Sequence, residues 1–369
     1  LAVFWTEDVI CRLIACLVGQ FYWQEICLSC NLESGHNGRV RQQITRLHYS
    51  IATSHELMSS HEHLIICLYH EDNGGNMAIE RKLPPWLKVP MPGGPKYIEL
   101  KEILRGEQLN TVCEEAHCPN IGECWERGTA TFMILGDICT RACSYCAVTS
   151  GTPVGLDLQE PLRLAETVKR LDLSYAVITS VDRDDLPDGG AFIYAQCITQ
   201  IRKRSPGSKI EVLIPDFQGD PSALASVMEA GPDTLNHNIE TVRRVFRRVR
   251  PKGDYDLSLR LLKQAKHLNP NAVTKSGMMV GLGETWDEIL ETMQDLRDAD
   301  CELLTIGQYL RPTPKHTPLV KWYTPGEFDE LRLEGESIGF SHIASGPLVR
   351  SSYHADEQHS AATAHMALG

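Results

Sequence analysis

The sequence predicts an α/β fold, a partial (β/α)6 TIM-type barrel with an extension at each end. Three observations predict it. From about residue 130, short apolar, β-branched runs alternate with amphipathic segments of helical length. Successive runs begin ~25–45 residues apart, the length a strand, a crossover helix and two loops require. Polar residues collect just after the runs, where the C-terminal strand ends of a βα barrel carry its chemistry.

The expected strands are TFMILGDI (131–138), YAVITS (175–180), KIEVLI (209–214), DTLNHN (233–238), VTKSGMMVG (273–281) and ELLTIGQ (302–308). Helices are expected over 162–171, 191–204, 221–230, 241–249, 255–268 and 285–299. The last places Trp286, Ile289, Leu290, Met293 and Leu296 on one stripe. After the strands come Cys139, then Ser180 with Asp182, Arg183, Asp184 and Asp185, then Asp216. Asn236 with His237, Asn238 and Glu240 follows, then Gly281 with Gly283 and Glu284, and Gln308 with Tyr309. Each alone reads as a helix cap; six decorated strand ends together read as a shared pocket. No GxGxxG follows the first strand, which argues against a dinucleotide site.

The chain divides into 1–76, an N-terminal arm 77–128, the barrel core 129–341 and a C-terminal segment 342–369. Residues 1–76 have no proline, no sustained period and six of the 14 histidines. Their apolar run VICRLIACLVG (9–19) is too short to span a membrane. Their eight acids against four bases fit no transit peptide. Cys27-Leu-Ser-Cys30 is half a zinc pattern without its second half. At Met77 the chain turns basic and Pro-rich, so 1–76 is expected to be an extension, disordered or translated from upstream sequence. Over the whole chain 48 acids exceed 36 bases, a net charge of −12 that argues against nucleic-acid backbone or anionic membrane as partner.

Thirteen cysteines are too dilute for a disulfide scaffold and too many for a typical cytosolic enzyme. Cys11, Cys16, Cys27, Cys30 and Cys67 lie in the first segment; Cys197 and Cys301 stand singly and read as core thiols. The other six form two tandem triplets. Cys113, Cys118 and Cys124 are spaced C-x4-C-x5-C; Cys139, Cys143 and Cys146 are spaced C-x3-C-x2-C directly after the first strand. Structural zinc takes four ligands, and His117 is the nearest candidate for a fourth. Three thiolates suit three irons of a [4Fe–4S] cube and leave the fourth iron open.

The C-x3-C-x2-C loop, with Tyr145 before its third cysteine, resembles the radical S-adenosylmethionine (SAM) superfamily. The upstream triplet, with Arg350-Ser351-Ser352-Tyr353-His354-Ala355 near the C-terminus, narrows the resemblance to the lipoyl synthase family. It covers about 77–358 and includes SVDRDDLPDGG (180–190), PDF (215–217), NHNIETV (236–242), TKSGMMVGLGET (274–285) and GQYLRPT (307–313).

The resemblance implies insertion of two sulfurs at C6 and C8 of an octanoyl chain, amide-linked to a lysine of a carrier domain. It implies that Cys139, Cys143 and Cys146 hold a [4Fe–4S] cluster that cleaves SAM to a radical. Cys113, Cys118 and Cys124 would hold a second, auxiliary [4Fe–4S] cluster, sacrificed as sulfur source, with Ser351 as fourth ligand and Ser352 as the alternative. The terminal extensions would thus carry the auxiliary cluster. SAM is expected to meet Tyr145, Thr179, Asn238, Glu240 and Lys275, assigned from position. Lys275, inside an apolar strand, requires an anion, and a cofactor carboxylate would serve.

Expected partners are octanoylated 2-oxoacid dehydrogenase E2 or glycine cleavage H protein, a low-potential donor such as flavodoxin or ferredoxin, and an iron–sulfur carrier. Oxygen-labile clusters point to a reducing interior, with a bacterial cytoplasm expected. The rival readings are another radical SAM sulfur-inserting or methylthiolating enzyme and a non-catalytic zinc or iron–sulfur module.

Overall fold

Eight strands lie in one sheet in chain order. The computed structural model describes residues 83–366 apart from Pro90, Gly128 and Ala130. The expected extension 1–76, with its five cysteines, lies outside the described residues. β1 (Asn110–Thr111) runs antiparallel to β2 (Thr131–Ile134). β3 (Tyr175–Ser180), β4 (Lys209–Leu213), β5 (Thr234–Asn236), β6 (Val273–Val280), β7 (Leu303–Gln308) and β8 (His342–Gly346) follow, each parallel to the strand before it. The order does not return from β8 to β1, so the barrel is partial.

The N-terminal arm contributes α1 (Pro95–Gly106), α2 (Val112–Glu115) and α3 (Ile121–Glu126). The crossovers contain α4 (Glu160–Arg170), α5 (Ala191–Arg204), α6 (Pro221–Glu229), α7 (Arg243–Val249), α8 (Tyr255–Leu268), α9 (Trp286–Asp298) and α10 (Pro325–Ile338). α11 (Ala355–Met366) ends the described chain. Capping boxes at Thr285/Glu288 and Thr324/Glu327 start α9 and α10. Among the described residues no helix is long and apolar enough to cross a membrane.

All six expected strands and six expected helices are present; 175–180, 191–204 and 255–268 match at both ends, and the others are shifted at one end or both. β2 stops early, at Ile134, because Leu135 and Gly136 take φ of +69° and +91°. The sheet adds β1 and a seventh parallel strand, β8, which is reached through α10. Neither β8 nor α10 was expected. Of β8 only Ile343 is buried, and of α10 only Phe328, Leu331 and Gly335, so neither shows a continuous apolar pattern. The segment 342–369, expected to be motif and tail, holds a strand and a helix.

β2 and β7 are buried at every position, as a sheet covered on both faces requires. Cys197 and Cys301 are fully buried. α11 lies across the strands' N-terminal ends: Ala355 packs with Tyr175 and Val177, and Ala362 with Val273 and Leu303. Between β8 and α11 the chain passes inside the barrel, and two glycines make room for it. A Cβ on Gly307 would overlap the Val349 carbonyl oxygen; one on Gly277 would lie within 3.0 Å of Asn238 Oδ1, Thr305 Oγ1 and Ser351 Oγ.

Candidate active site

A cavity of about 750 Å³ runs down the barrel from Gln308, at the end of β7, to Thr131 and Tyr175, at the starts of β2 and β3. All six cysteines of the two triplets line it, together with Tyr145, Thr179, Asn238, Glu240, Ser351 and Ser352. The geometry therefore brings together both cysteine triplets, the serine pair and every residue expected to meet SAM except one, while Arg183, Asp184, Asp185, Asp216, Asn236, Gly281, Gly283 and Glu284 of the expected strand-end pocket lie outside the lining.

That exception is Lys275. Its ammonium is wholly buried, 3.0 Å from Glu211 Oε1, away from the cavity lining. Tyr175 Oη and Asn236 Nδ2 donate to the same carboxylate, both at 2.9 Å. Burial depresses the Lys275 pKa while Glu211 opposes it. The anion that Lys275 needed is thus a protein carboxylate on β4, near the base of the barrel, in place of the expected cofactor carboxylate.

The loop of Cys139, Cys143 and Cys146 is held from three sides. Cys139 N–H donates to Thr149 O at 2.8 Å, and Thr140 N–H to Asp182 O at 3.0 Å. Ser144 N–H donates to Val249 O at 2.8 Å. Within the loop, buried Arg141 forks onto Asp216 at 2.6 and 2.7 Å and onto Asp184 at 2.8 Å, with Asp182 Oδ1 at 3.3 Å. One guanidinium thus ties the loop to the ends of β3 and β4. Burial would raise the Asp216 carboxyl, but the Arg141 bonds outweigh it and hold it at about 2. Burial dominates at Asp182, raised despite Arg141 and Arg250, and its Oδ2 accepts from Cys139 Sγ at 3.6 Å.

Glu240 carries φ of +68°, sparsely populated for a non-glycine residue. It is kept there by hydrogen bonds to Gly277 O (2.9 Å) and from Met279 N–H (2.8 Å). Asn238 exchanges hydrogen bonds with Ser351 Oγ at 2.8 and 3.0 Å. Ser352 Oγ instead accepts from Thr131 Oγ1 at 2.7 Å.

The other triplet comes from the arm. Cys113 sits in α2, capped by Thr111, and Cys124 in α3. Buried Trp125 packs on Tyr97 of α1 with ring centroids 5.0 Å apart. The arm is fastened to the C-terminal segment: Asn120 Nδ2 donates to Leu348 O at 2.7 Å, Tyr353 Oη to Glu123 at 3.1 Å, and Arg127 to Glu357 at 2.6 Å.

These residues fit anionic clusters. Burial pushes the thiols up, Cys113 and Cys146 to about 11 and Cys124 and Cys143 to about 12, so the sulfurs ionise only against a Lewis acid. The Trp125 indole N–H finds no nitrogen or oxygen acceptor among the described residues and lies beside the Cys113 sulfur. Arg350 has no acidic partner among them and stands near Cys118. A donor and a cation without anions, both beside one triplet, suit a site whose sulfurs bear charge. A single metal ion needs its donors gathered about one point; among the described residues no three His, Cys, Asp or Glu side chains are so gathered, and His117 is exposed at the cavity rim.

Sequence reasoning missed Arg141, Arg250 and Trp125. For Arg141 a signal existed: it is the one base inside the cysteine loop, while SVDRDD and PDF bring acids to the neighbouring strand ends.

The radical SAM superfamily model matches residues 133–296, and the model for the N-terminal domain of lipoyl synthase matches 67–118. The chain is 58% identical over 275 residues to a lipoyl synthase of Rubrobacter xylanophilus, covering 74% of this chain and 86% of that one. A lipoyl synthase of Symbiobacterium thermophilum is 58% identical over 286 residues, covering 78% and 89%. One of Bacillus cytotoxicus is 54% identical over 279 residues, covering 75% and 94%. Radical SAM membership implies a [4Fe–4S] cluster and SAM. The chain belongs to the lipoyl synthase family, whose members are radical SAM enzymes that insert sulfur.

Proposed function

We propose that this chain converts the octanoyl group of a carrier-domain lysine to lipoyl by inserting sulfur at C6 and C8. Cys139, Cys143 and Cys146 hold one [4Fe–4S] cluster beside SAM. Cys113, Cys118 and Cys124 hold a second, which is consumed as the sulfur substrate. One observation carries this reading: both triplets and the serine pair line a single cavity. The bound cofactors supply one-electron cleavage of SAM and hydrogen abstraction from unactivated carbon.

The chain's own residues bind, orient and exclude water. Tyr145, Thr179, Asn238 and Glu240 offer polar groups to SAM, and Arg141 keeps the cysteine loop on the strand ends. Met133, Val177, Ile214 and Met279 give the octanoyl chain an apolar wall. Ser351 is the expected oxygen donor to the second cluster. One observation favours Ser352: it shares Thr131 with Cys113, whose sulfur the Thr131 backbone meets, whereas Ser351 is bonded to Asn238. The weak affinity of a hydroxyl for thiolate-bound iron suits a ligand that must leave as the cluster is dismantled.

The partners in this reading are octanoylated E2 or H-protein domains, a flavodoxin- or ferredoxin-like donor, and an iron–sulfur carrier, in a bacterial cytoplasm. Iron and sulfide are measured after anaerobic reconstitution. About eight of each per chain is expected, and about four would remove the second cluster. Cys113→Ala should cleave SAM and form no lipoyl group; lipoyl formation by this variant would overturn the sulfur assignment.

A further inference from the structure

On a chain of net charge −12, residues 243–252 hold six bases and no acid. Three of the six are engaged: Arg243 with Asp256 and Asp295, Arg244 with Glu288, and buried Arg250 facing Glu240 and Asp182. The other three point outward. Arg247 is exposed with no acidic partner among the described residues. Arg248 donates only to the Leu282 carbonyl, and Lys252, 60% exposed, donates to Thr140 O at 3.0 Å with Asp184 only at 3.9 Å.

This face abuts the outer side of the cysteine loop. Ser144, between Cys143 and Cys146, meets Val249 on one side and Thr317 on the other, the latter through a 2.6 Å hydroxyl–hydroxyl bond. Two residues before Thr317 stands Lys315, exposed and unpaired among the described residues. Exposed Ala142 is the covalent neighbour of Cys143, so the surface here lies one residue from a cluster ligand. Arg247, Arg248, Lys252 and Lys315 do not line the cavity. A partner bound to them meets the loop at Ala142 and Ser144, with Thr313 and His316, which flank Lys315, at the cavity's edge.

We propose that Arg247, Arg248, Lys252 and Lys315 form the docking surface for a small acidic electron-donor protein, which rests on the radical SAM reading above. One electron leaves the donor's reduced centre, which is oxidised by it, and enters the site behind Cys139, Cys143 and Cys146, which is reduced by it. No bond or proton changes hands at the interface. Complementary charge of this kind raises association rate and makes it salt-sensitive.

The test uses the full chain, wild type and Arg247→Glu/Lys315→Glu, with flavodoxin as probe. Binding of oxidised flavodoxin, followed by fluorescence anisotropy, needs no turnover. The double variant should bind roughly tenfold or more weakly at low salt, and wild-type affinity should fall as salt rises. SAM cleavage driven by flavodoxin hydroquinone should slow in parallel, while dithionite-driven cleavage stays unchanged. Equal binding by both chains, or salt-independent binding, overturns the proposal. So does a rise in the KM for octanoylated carrier with flavodoxin affinity unchanged, which assigns the face to the carrier. Failure of wild type to cleave SAM with dithionite would strike the underlying functional reading and leave the binding result standing by itself.

Discussion

Gly307→Ala should uncouple sulfur insertion from SAM cleavage. Gly307 faces the segment that leads from β8 into Arg350 and Ser351. An added methyl overlaps the Val349 carbonyl oxygen and comes within 3.1 Å of Arg350 Nη1. The obstacle is backbone, so no rotamer change relieves it; the segment must recede by about 1 Å, at a cost of about 1–3 kcal/mol. A 1 Å misplacement of a positioned group costs on the order of a hundredfold in rate. The cysteine loop is tied to β3, β4 and α7 and does not share this contact. Lipoyl formation should therefore fall about a hundredfold while 5′-deoxyadenosine formation stays within about twofold of wild type. Anaerobic single-turnover assays with dithionite, quantifying both products, measure the ratio. An unchanged ratio would refute the claim that glycine at 307 seats the serine segment. Gly346→Ala is the control, since its methyl meets only the Val349 Cγ2 side-chain atom, at 3.2 Å, and no backbone.

Lys275→Met strands the Glu211 carboxylate in the barrel and should cost about 3–5 kcal/mol in urea unfolding, with Lys275→Met/Glu211→Gln recovering most of it; a loss below about 1 kcal/mol would contradict the pairing. Burial raises the Glu160 carboxyl from 4.5 to about 7, though it accepts the Leu135 N–H at 2.8 Å. Across that window the folded chain holds a proton the unfolded chain releases. Glu160 therefore removes about 3 kcal/mol of stability as pH rises from 4.5 to 7, and Glu160→Gln should flatten that slope in denaturation at the two ends. Arg141→Lys keeps the charge and loses the fork onto Asp184 and Asp216. Reconstituted iron should drop from about eight to about four per chain, and full iron content would show that the clamp does not hold the loop.

The fold was legible wherever a strand is buried on both faces, because an apolar run then stands out from its amphipathic neighbours. β8 escaped because one buried residue, Ile343, makes no run, and α10 because its buried positions include a glycine in place of an apolar side chain. The cysteines were legible because spacing within a loop is local. Lys275 was legible as a buried cation in need of an anion, but not in its partner, since Glu211 lies 64 residues away on another strand. Glu284, grouped with the pocket, turns out to brace a turn by accepting the Gly281 and Leu282 N–H groups. The glycines of SGMMV and TIGQ carried no local signal, because the segment they admit comes from β8 onward.

The tie between Asn120 and Leu348 spans 228 residues. At ribosomal speeds of about 5–20 residues per second, the first cysteine triplet emerges roughly 10–50 s before the strand and serines that complete its surroundings. During that interval the nascent chain offers three thiols with neither Arg350 nor the serine pair in place. The surroundings of the arm's cysteines are therefore completed only when the last quarter of the chain has been made, and nothing that needs both halves can be enclosed before then. If the arm binds a cluster as proposed, growth conditions that starve cluster supply should accumulate folded chains lacking iron there.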